Sequence, residues 1–150
     1  MSDRNRFERS HDIVIDARAE DIFNYVTNPN SWPEWIAASH QIDSPDHPLR
    51  EGETFREEWQ TRNGGSELKW TVTKCDAPNL WIAETQKTFI GKIIARYDVE
   101  AVGDQHRYTR TIVNEDRPIL PTDEQIARVD SEAAIALNNI KKNVEIKTRG

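Results

Sequence analysis

The sequence predicts a single α+β domain in which a curved antiparallel sheet wraps around one long C-terminal helix. Three observations favour this class. Alternation of apolar and polar residues, typical of strands with one buried face, recurs from residue 7 to residue 113. Helical spacing interrupts it only after the first strand, and the longest amphipathic segment comes last. With 150 residues, the chain has the length of one domain that buries a full core.

The first strand and two helices account for the first quarter of the chain. Residues 18–28 have helical spacing, and Asn28-Pro29 ends this helix because a residue before proline disfavours the helical conformation. Residues 30–36 predict a second, short helix. The strand before them is predicted over residues 7–16, and its inner face carries Phe7, Arg9, His11, Ile13 and Ile15.

Six further strands are predicted between the helices and residue 113. Their segments are 38–43, 53–62, the alternating residues after the Asn63-Gly64-Gly65 turn, 80–88, 92–101 and 106–113. Most have one clearly apolar face, which is typical of antiparallel sheets with one side in water. Residues 80–88 are ambiguous because both faces are partly apolar. There, one face carries Leu80, Ile82, Glu84 and Gln86, and the other carries Trp81, Ala83 and Thr85.

The last helix has the clearest signals in the chain. Thr122 and Gln125 form a capping box that starts it, and Asp123 and Glu124 complement the positive end of its dipole. It extends over about 25 residues, or roughly 37 Å, so we expect it to lie across the sheet. Its apolar stripe consists of Ile126, Val129, Ala133, Leu137, Ile140 and Val144.

Composition excludes several function classes. The net charge of −6, from 26 acidic and 20 basic residues, opposes nucleic-acid binding, which relies on clustered Lys and Arg. No segment approaches the ~20 apolar residues of a membrane span, so we expect no stable membrane insertion. Cys75 is the single cysteine, which favours a cytoplasmic location. The four His lack metal-ligand spacing and no cofactor motif is present, so neither a metal nor a cofactor is expected.

The order of elements, together with one stretch of sequence, carries a family resemblance. The stretch runs from Ala17 to Trp35 and ends in Asn28-Pro29-Asn30-Ser31-Trp32-Pro33-Glu34-Trp35. The chain resembles the START/Bet v 1-like (SRPBCC) superfamily, and its polyketide cyclase/dehydrase-like branch fits best. The resemblance implies the helix-grip fold, in which seven strands grip the last helix around an elongated hydrophobic cavity. It implies no single reaction, because the superfamily includes lipid carriers, hormone receptors and cyclases.

Polar residues share the apolar strand faces, where an ionisable group needs a partner or a ligand to offset its desolvation. One interpretation is that Glu57 and Arg110 orient the polar end of a largely apolar ligand. The other is that Arg110 pairs with Glu57 or Glu84 and merely satisfies buried charge. These candidate polar residues are Arg9, His11, Glu57, Glu84 and Arg110.

Aromatic and small residues complete the predicted site. Trp32 and Trp35 are expected to pack the short helix against the domain, whereas Trp81 faces either solvent or a dimer partner. Phe89, at an apolar turn with Ile90, either gates the cavity, touches a membrane surface or caps the core. The predicted ligand-binding residues are Phe55, Glu57, Trp59, Trp70, Glu84, Phe89, Tyr97, Tyr108, Arg110, Ala133 and Leu137.

Three functions remain open at this level. The first is binding, or transport, of a small hydrophobic, aromatic or lipid-like molecule in the cavity. The second is a cofactor-independent cyclase, aromatase or dehydratase, in which Glu57, Glu84 or His11 moves protons and Arg110 stabilises an enolate. The third is an interaction module that forms a homodimer through a sheet edge or Trp81.

Overall fold

The computed structural model describes residues 5–36, 39–61, 64–86, 92–117 and 120–149, with backbone only at some element ends. The helices are α1 (Ala19–Val26), a short 3₁₀ helix (Pro29–Glu34) and α2 (Asp123–Arg149). The strands are β1 (Asn5–Ile15), β2 (Ser39–Asp43), β3 (Thr54–Thr61), β4 (Gly64–Asp76), β5 (Leu80–Thr85), β6 (Ile93–Val102) and β7 (Gln105–Arg117).

The seven strands form one antiparallel sheet in the order β1-β7-β6-β5-β4-β3-β2. The last strand, β7, therefore pairs with the first, β1, and the two edge strands of the sheet are β1 and β2. Together with the long C-terminal helix and the two short helices between β1 and β2, this confirms the predicted α+β helix-grip architecture.

The inner face of β5 corrects two sequence predictions. Because Trp81 pairs with Tyr97 and Ala83 with Ala95, these residues share the buried face. Glu84 points to the other side, where its Oε1 lies 3.1 Å from Nζ of Lys92, so its predicted place on the apolar face is wrong. Trp81 is completely buried and donates from Nε1 to the carbonyl of Leu49 at 3.0 Å. It therefore faces neither solvent nor a partner.

The centre of the core is a cluster of aromatic rings around Trp32. Its ring centroid lies 5.1 Å from that of Phe55 and 5.8 Å from that of Trp70, both in edge-to-face geometry. Its Nε1 donates to the carbonyl of Val26 at 3.0 Å, and the Nε1 of Trp35 donates to Oγ of Ser31 at 3.1 Å. The Trp32 hydrogen bond fastens the 3₁₀ helix to α1, and the Trp35 hydrogen bond is made to a residue of the 3₁₀ helix itself. Both rings are buried in the core, which is the packing role predicted for Trp32 and Trp35.

Helix α2 begins with the predicted capping box. The amide of Gln125 donates to Oγ1 of Thr122 at 3.1 Å, and the amide of Thr122 donates to Oε1 of Gln125 at 2.8 Å. Over its 27 residues the helix extends about 40 Å and packs along β1. Among the described residues, no helix combines the length and apolar character needed to span a membrane.

Candidate functional site

A cavity of about 320 Å³ lies between the inner face of the sheet and the first half of α2. Strands β1, β3, β4, β6 and β7 provide one side of it, and the 3₁₀ helix and α2 provide the other. Its lining side chains are Phe7, Arg9, His11, Trp32, Ile36, Glu57, Trp70, Ile93, Ala95, Tyr97, Arg110, Ile112, Asn114, Val129, Glu132, Ala133 and Ala136.

A second and larger depression, of about 910 Å³, lies on the outside between α1, the 3₁₀ helix and the end of α2. It is polar and open, and several of its side chains form ion pairs or hydrogen bonds with one another. Nε of Arg18 lies 3.0 Å from Oδ2 of Asp21, and the hydroxyl of Tyr25 donates to Glu34 at 2.7 Å. Because ligand sites are usually concave and mostly apolar, the inner cavity is the better candidate site.

The cavity exists because small side chains of α2 face the sheet at this point. Ala133 and Ala136 are buried on the inner side of the helix, whereas larger residues fill the space further along, at Leu137 and Ile140. Opposite the alanines, Trp70 and Tyr97 present flat aromatic surfaces. The result is a space with aromatic walls on one side and little side-chain volume on the other.

Arg110 lines this space, as does Arg9. Alternation along β7 turns Arg110 inward, and its guanidinium carbon lies 5.5 Å from the ring centroid of Trp35, in a cation–π contact. Its Nε is buried and has no hydrogen-bond partner among the described residues. The interpretation that Arg110 pairs with Glu84 is wrong, because Glu84 lies on the outer face beside Lys92, whereas its pairing with Glu57 stays a prediction.

Glu57 is the buried carboxylate of the cavity, only 1% exposed, whereas Glu132, which also lines it, is an exposed residue. It comes from β3, and its Oε1 accepts a hydrogen bond from Nε1 of Trp70 on β4 at 3.0 Å. The two strands hold this pair in place, since Phe55 is the register partner of Trp70 and their rings stack with centroids 6.0 Å apart. The indole N–H thus offsets part of the cost of burying the carboxylate.

Two buried tyrosines stand next to Arg110. Burial raises the pKa of Tyr97 to about 12, although the Arg110 guanidinium works in the opposite direction. Burial also raises the pKa of Tyr108 well above its ordinary value. Tyr108 meets the ring of Tyr97 edge-on at 5.6 Å and is fully buried behind the cavity wall. Neither hydroxyl has a hydrogen-bond partner with standard geometry in the described ranges.

A charged cluster closes the cavity between β1 and α2. Nε2 of His11 lies 2.7 Å from Oδ1 of Asp130, and Arg9 donates to the same carboxylate through Nε at 3.1 Å and through a second nitrogen. The hydrogen bonds from Arg9 and then His11 lower the pKa of Asp130. His11 lines the cavity as its inward position predicts, but its ring is engaged by an acidic residue that the sequence analysis does not identify.

The structure separates the predicted ligand-binding residues into groups. Glu57, Trp70, Tyr97, Arg110 and Ala133 line the cavity. Glu84 is on the outer face. The side chain of Trp59 and the whole of Phe89 lie outside the described residues. Those buried in the surrounding core without lining the cavity are Phe55, Tyr108 and Leu137.

The polar residues of the site that are absent from the sequence predictions are Asn114, Asp130 and Glu132. Asn114 continues the inward alternation of Arg110 and Ile112, but it lies one residue beyond the predicted end of β7. Asp130 lies three residues before Ala133 and four after Ile126, so helical spacing puts it beside the apolar stripe. Within the described ranges, no three His, Cys, Asp or Glu side chains are arranged to hold a metal ion.

A seven-stranded antiparallel sheet that encloses a cavity against a long C-terminal helix defines the class of Bet v 1-like, helix-grip domains. The sequence agrees with the structure. Residues 6–145 match the model of the family described as polyketide cyclase / dehydrase and lipid transport, and the chain belongs to this family. A search of curated protein sequences finds no significant match.

Several solved structures share this fold. The Zhui aromatase/cyclase from Streptomyces sp. R1128 is similar with a TM-score of 0.74 and 13% identity, over 97% of each chain. Ara h 8.0201 gives 0.68 and 12%, over 93% of this chain and 97% of its own. The Aha1 dimer from Colwellia psychrerythraea gives 0.65 and 20%, over the same shares. At these identities the similarity shows the fold alone.

Proposed function

We propose that the protein binds one small, mostly apolar molecule in the cavity between the sheet and α2. The observation that carries the proposal is a partly open space of about 320 Å³ with predominantly apolar and aromatic walls. This volume is at the lower end of the range of about 300 to 1,000 Å³ for ligand pockets. It corresponds to roughly ten water molecules of liquid volume, which suits a body of one to three aromatic rings.

The family supports the same conclusion at a coarser level. Its description joins polyketide cyclases and dehydrases with lipid transport, which are activities on small and largely apolar molecules. Most of the lining side chains are apolar or aromatic, and the polar ones are Arg9, His11, Glu57, Arg110, Asn114 and Glu132. Few polar groups in an apolar pocket are typical of sites in which they orient a ligand.

Catalysis is not part of the proposal. Of the predicted proton-transfer residues, Glu84 lies on the outer face with Lys92, and the ring of His11 is held by Asp130. Glu57 accepts from Trp70. An acid and a base that converge on one point of the cavity would be needed for cyclase or dehydratase chemistry, and these three contacts do not favour it.

Two sequence predictions stay predictions. The homodimer loses one supporting argument because Trp81 is buried, which leaves the sheet edges β1 and β2 as candidate contacts. Light scattering would decide between monomer and dimer. The cytoplasmic location is still supported by the single cysteine, and cell fractionation would test it.

The proposal can be tested with N-phenyl-1-naphthylamine, a neutral probe that fluoresces in apolar surroundings. We expect its fluorescence to rise on titration with the protein and to saturate at one probe per chain. The wild-type protein in non-denaturing buffer is the sample, and the urea-unfolded protein is the control. A linear, non-saturating signal equal to that of the unfolded chain would contradict the proposal.

A further inference from the structure

We infer that the ligand carries a carboxylate and that Arg110 binds it. This inference rests on the proposed function, because it names the chemical class of the molecule in the same cavity. It begins from the guanidinium of Arg110, which lines the cavity and whose buried Nε has no hydrogen-bond partner among the described residues.

The side chain of Arg110 is a guanidinium, a charged group with several N–H donors and no acceptor. A charge that lies among aromatic rings needs a partner to offset its desolvation. Trp35 supplies a cation–π contact to the guanidinium, with the carbon 5.5 Å from the ring centroid. This contact leaves the buried Nε–H without an acceptor in the described part of the chain. A carboxylate oxygen from the ligand satisfies both the charge and this donor.

A second donor stands beside the first. Tyr97 on β6 is the direct register partner of Arg110 on β7, so both side chains enter the cavity next to each other. Because its pKa is raised to about 12, Tyr97 keeps its proton at neutral pH and its hydroxyl can donate. Two adjacent donors, one of them charged, form an arrangement that suits the two oxygens of a carboxylate.

The charge of Glu57 limits the ligand to a single carboxylate. Glu57 lines the same cavity and is bound to Nε1 of Trp70, so an anion at Arg110 has a second negative charge in the same low-dielectric space. A ligand with one carboxylate at Arg110 and an uncharged body toward Trp70 fits this distribution. It also predicts that Glu57→Gln strengthens binding of an acid and has little effect on its neutral amide.

Calorimetric titrations at neutral pH test the inference with two matched pairs. 2-Naphthoate is compared with 2-naphthamide, and decanoate with decanamide, so that an aromatic and an aliphatic source of the carboxylate are distinguished. We expect the acid of at least one pair to bind the wild-type protein about tenfold or more tightly than its amide, as charge-assisted hydrogen bonds allow. Glu57→Gln should increase that preference.

Two arginine variants complete the experiment. In Arg110→Met the preference for the acid should disappear, while binding of the amide persists. Arg107→Met is the matched control, because Arg107 is on the outer face of β7 with Asp12 and Glu100, and it should leave the preference unchanged. If Arg110→Met does not fold, judged by circular dichroism, the wild-type and Glu57→Gln titrations still decide the question.

The inference is overturned if neither acid is preferred to its amide by the wild-type protein, or if Arg110→Met retains the preference. Its failure is distinguishable from failure of the proposed function. If N-phenyl-1-naphthylamine still binds in the cavity while the acids show no preference, only the carboxylate is wrong. If the neutral probe and all four compounds fail to bind, the proposed function itself is contradicted.

Discussion

At the scale of single residues, the buried Trp and Tyr side chains differ in whether their N–H or O–H groups have hydrogen-bond partners. The indoles of Trp32, Trp70 and Trp81 each donate to a protein oxygen at 3.0 Å. The hydroxyls of Tyr97 and Tyr108 have no such acceptor among the described residues. A buried polar group without a partner costs about 1–3 kcal/mol, so these two kinds of side chain should respond oppositely to truncation.

Tyr108→Phe tests this difference directly. The change removes a buried hydroxyl that lies behind the cavity wall, so we expect the free energy of unfolding to stay equal or rise by up to about 1 kcal/mol. Trp81→Phe is the comparison, since it leaves the carbonyl of Leu49 unpaired and creates a void, and it should cost about 2–4 kcal/mol. Urea denaturation measures both values. A loss above about 1 kcal/mol for Tyr108→Phe would mean that the hydroxyl has a partner.

Individual site residues were predictable where one strand face is clearly apolar. Glu57 and Arg110 lie on such strands, and the structure brings both to the cavity. Glu84 lies on a strand whose two faces are both partly apolar, and a shift of one position moves every side chain to the other face. Trp81 and Ala83 take the buried face there. The sequence of β5 alone does not show which of its two faces is buried, whereas its pairing with β6 does.

At the scale of elements, the contact between β1 and α2 forms one side of the cavity. Arg9 and His11 from the edge strand both bind Asp130 on the helix. Asp130 is one residue after Val129 and three before Ala133, both of which line the cavity. This cluster therefore joins the first and last elements of the chain at the place where a ligand would be enclosed.

Asp130→Asn should lower the melting temperature at neutral pH, because it leaves Arg9 and His11 without an anionic partner. The pKa of Asp130 is lowered in the folded protein. Its contribution is thus fully present above the unfolded-state pKa of about 4 and is lost as the pH falls through the lower folded-state pKa. Thermal denaturation of both proteins at neutral pH and at about pH 2 measures the difference, which should shrink in acid.

Asp12→Asn is the control for this experiment, because Asp12 lies on the outer face of β1 and pairs with Arg107 at 3.3 Å. It should change the melting temperature less than Asp130→Asn does. A difference between wild type and Asp130→Asn that is the same in acid and at neutral pH would show that the ion cluster does not act as described.

Elements themselves follow from local patterns more readily than their contacts do. The capping box at Thr122 fixes the start of α2, and strand alternation gives the inner faces of β1, β6 and β7. Asp130 and His11, by contrast, are 119 positions apart in the chain. Helical spacing places Asp130 at the edge of the apolar stripe, but only the packing of α2 on β1 shows which residues it meets.

At the scale of the whole molecule, the sheet and helix enclose a space rather than a continuous core. The chain is 36% hydrophobic, and large aromatic side chains cluster around Trp32. Trp32 also borders the cavity, which Ala133 and Ala136 leave open on the helix side. The family resemblance predicted that a cavity exists, but its size and lining depend on side-chain packing that the sequence pattern does not specify.

The central claim, that this cavity is the ligand-binding site, is tested most directly by filling it. Ala133→Leu adds side-chain volume inside the cavity, and Ala134→Leu makes the same change at the next, exposed position of α2. Titration of both folded variants with N-phenyl-1-naphthylamine is the measurement. The account predicts that Ala133→Leu weakens binding about tenfold or more, the 1.4 kcal/mol expected of a lost pocket contact, whereas Ala134→Leu binds like the wild type. Equal binding by both variants would contradict it.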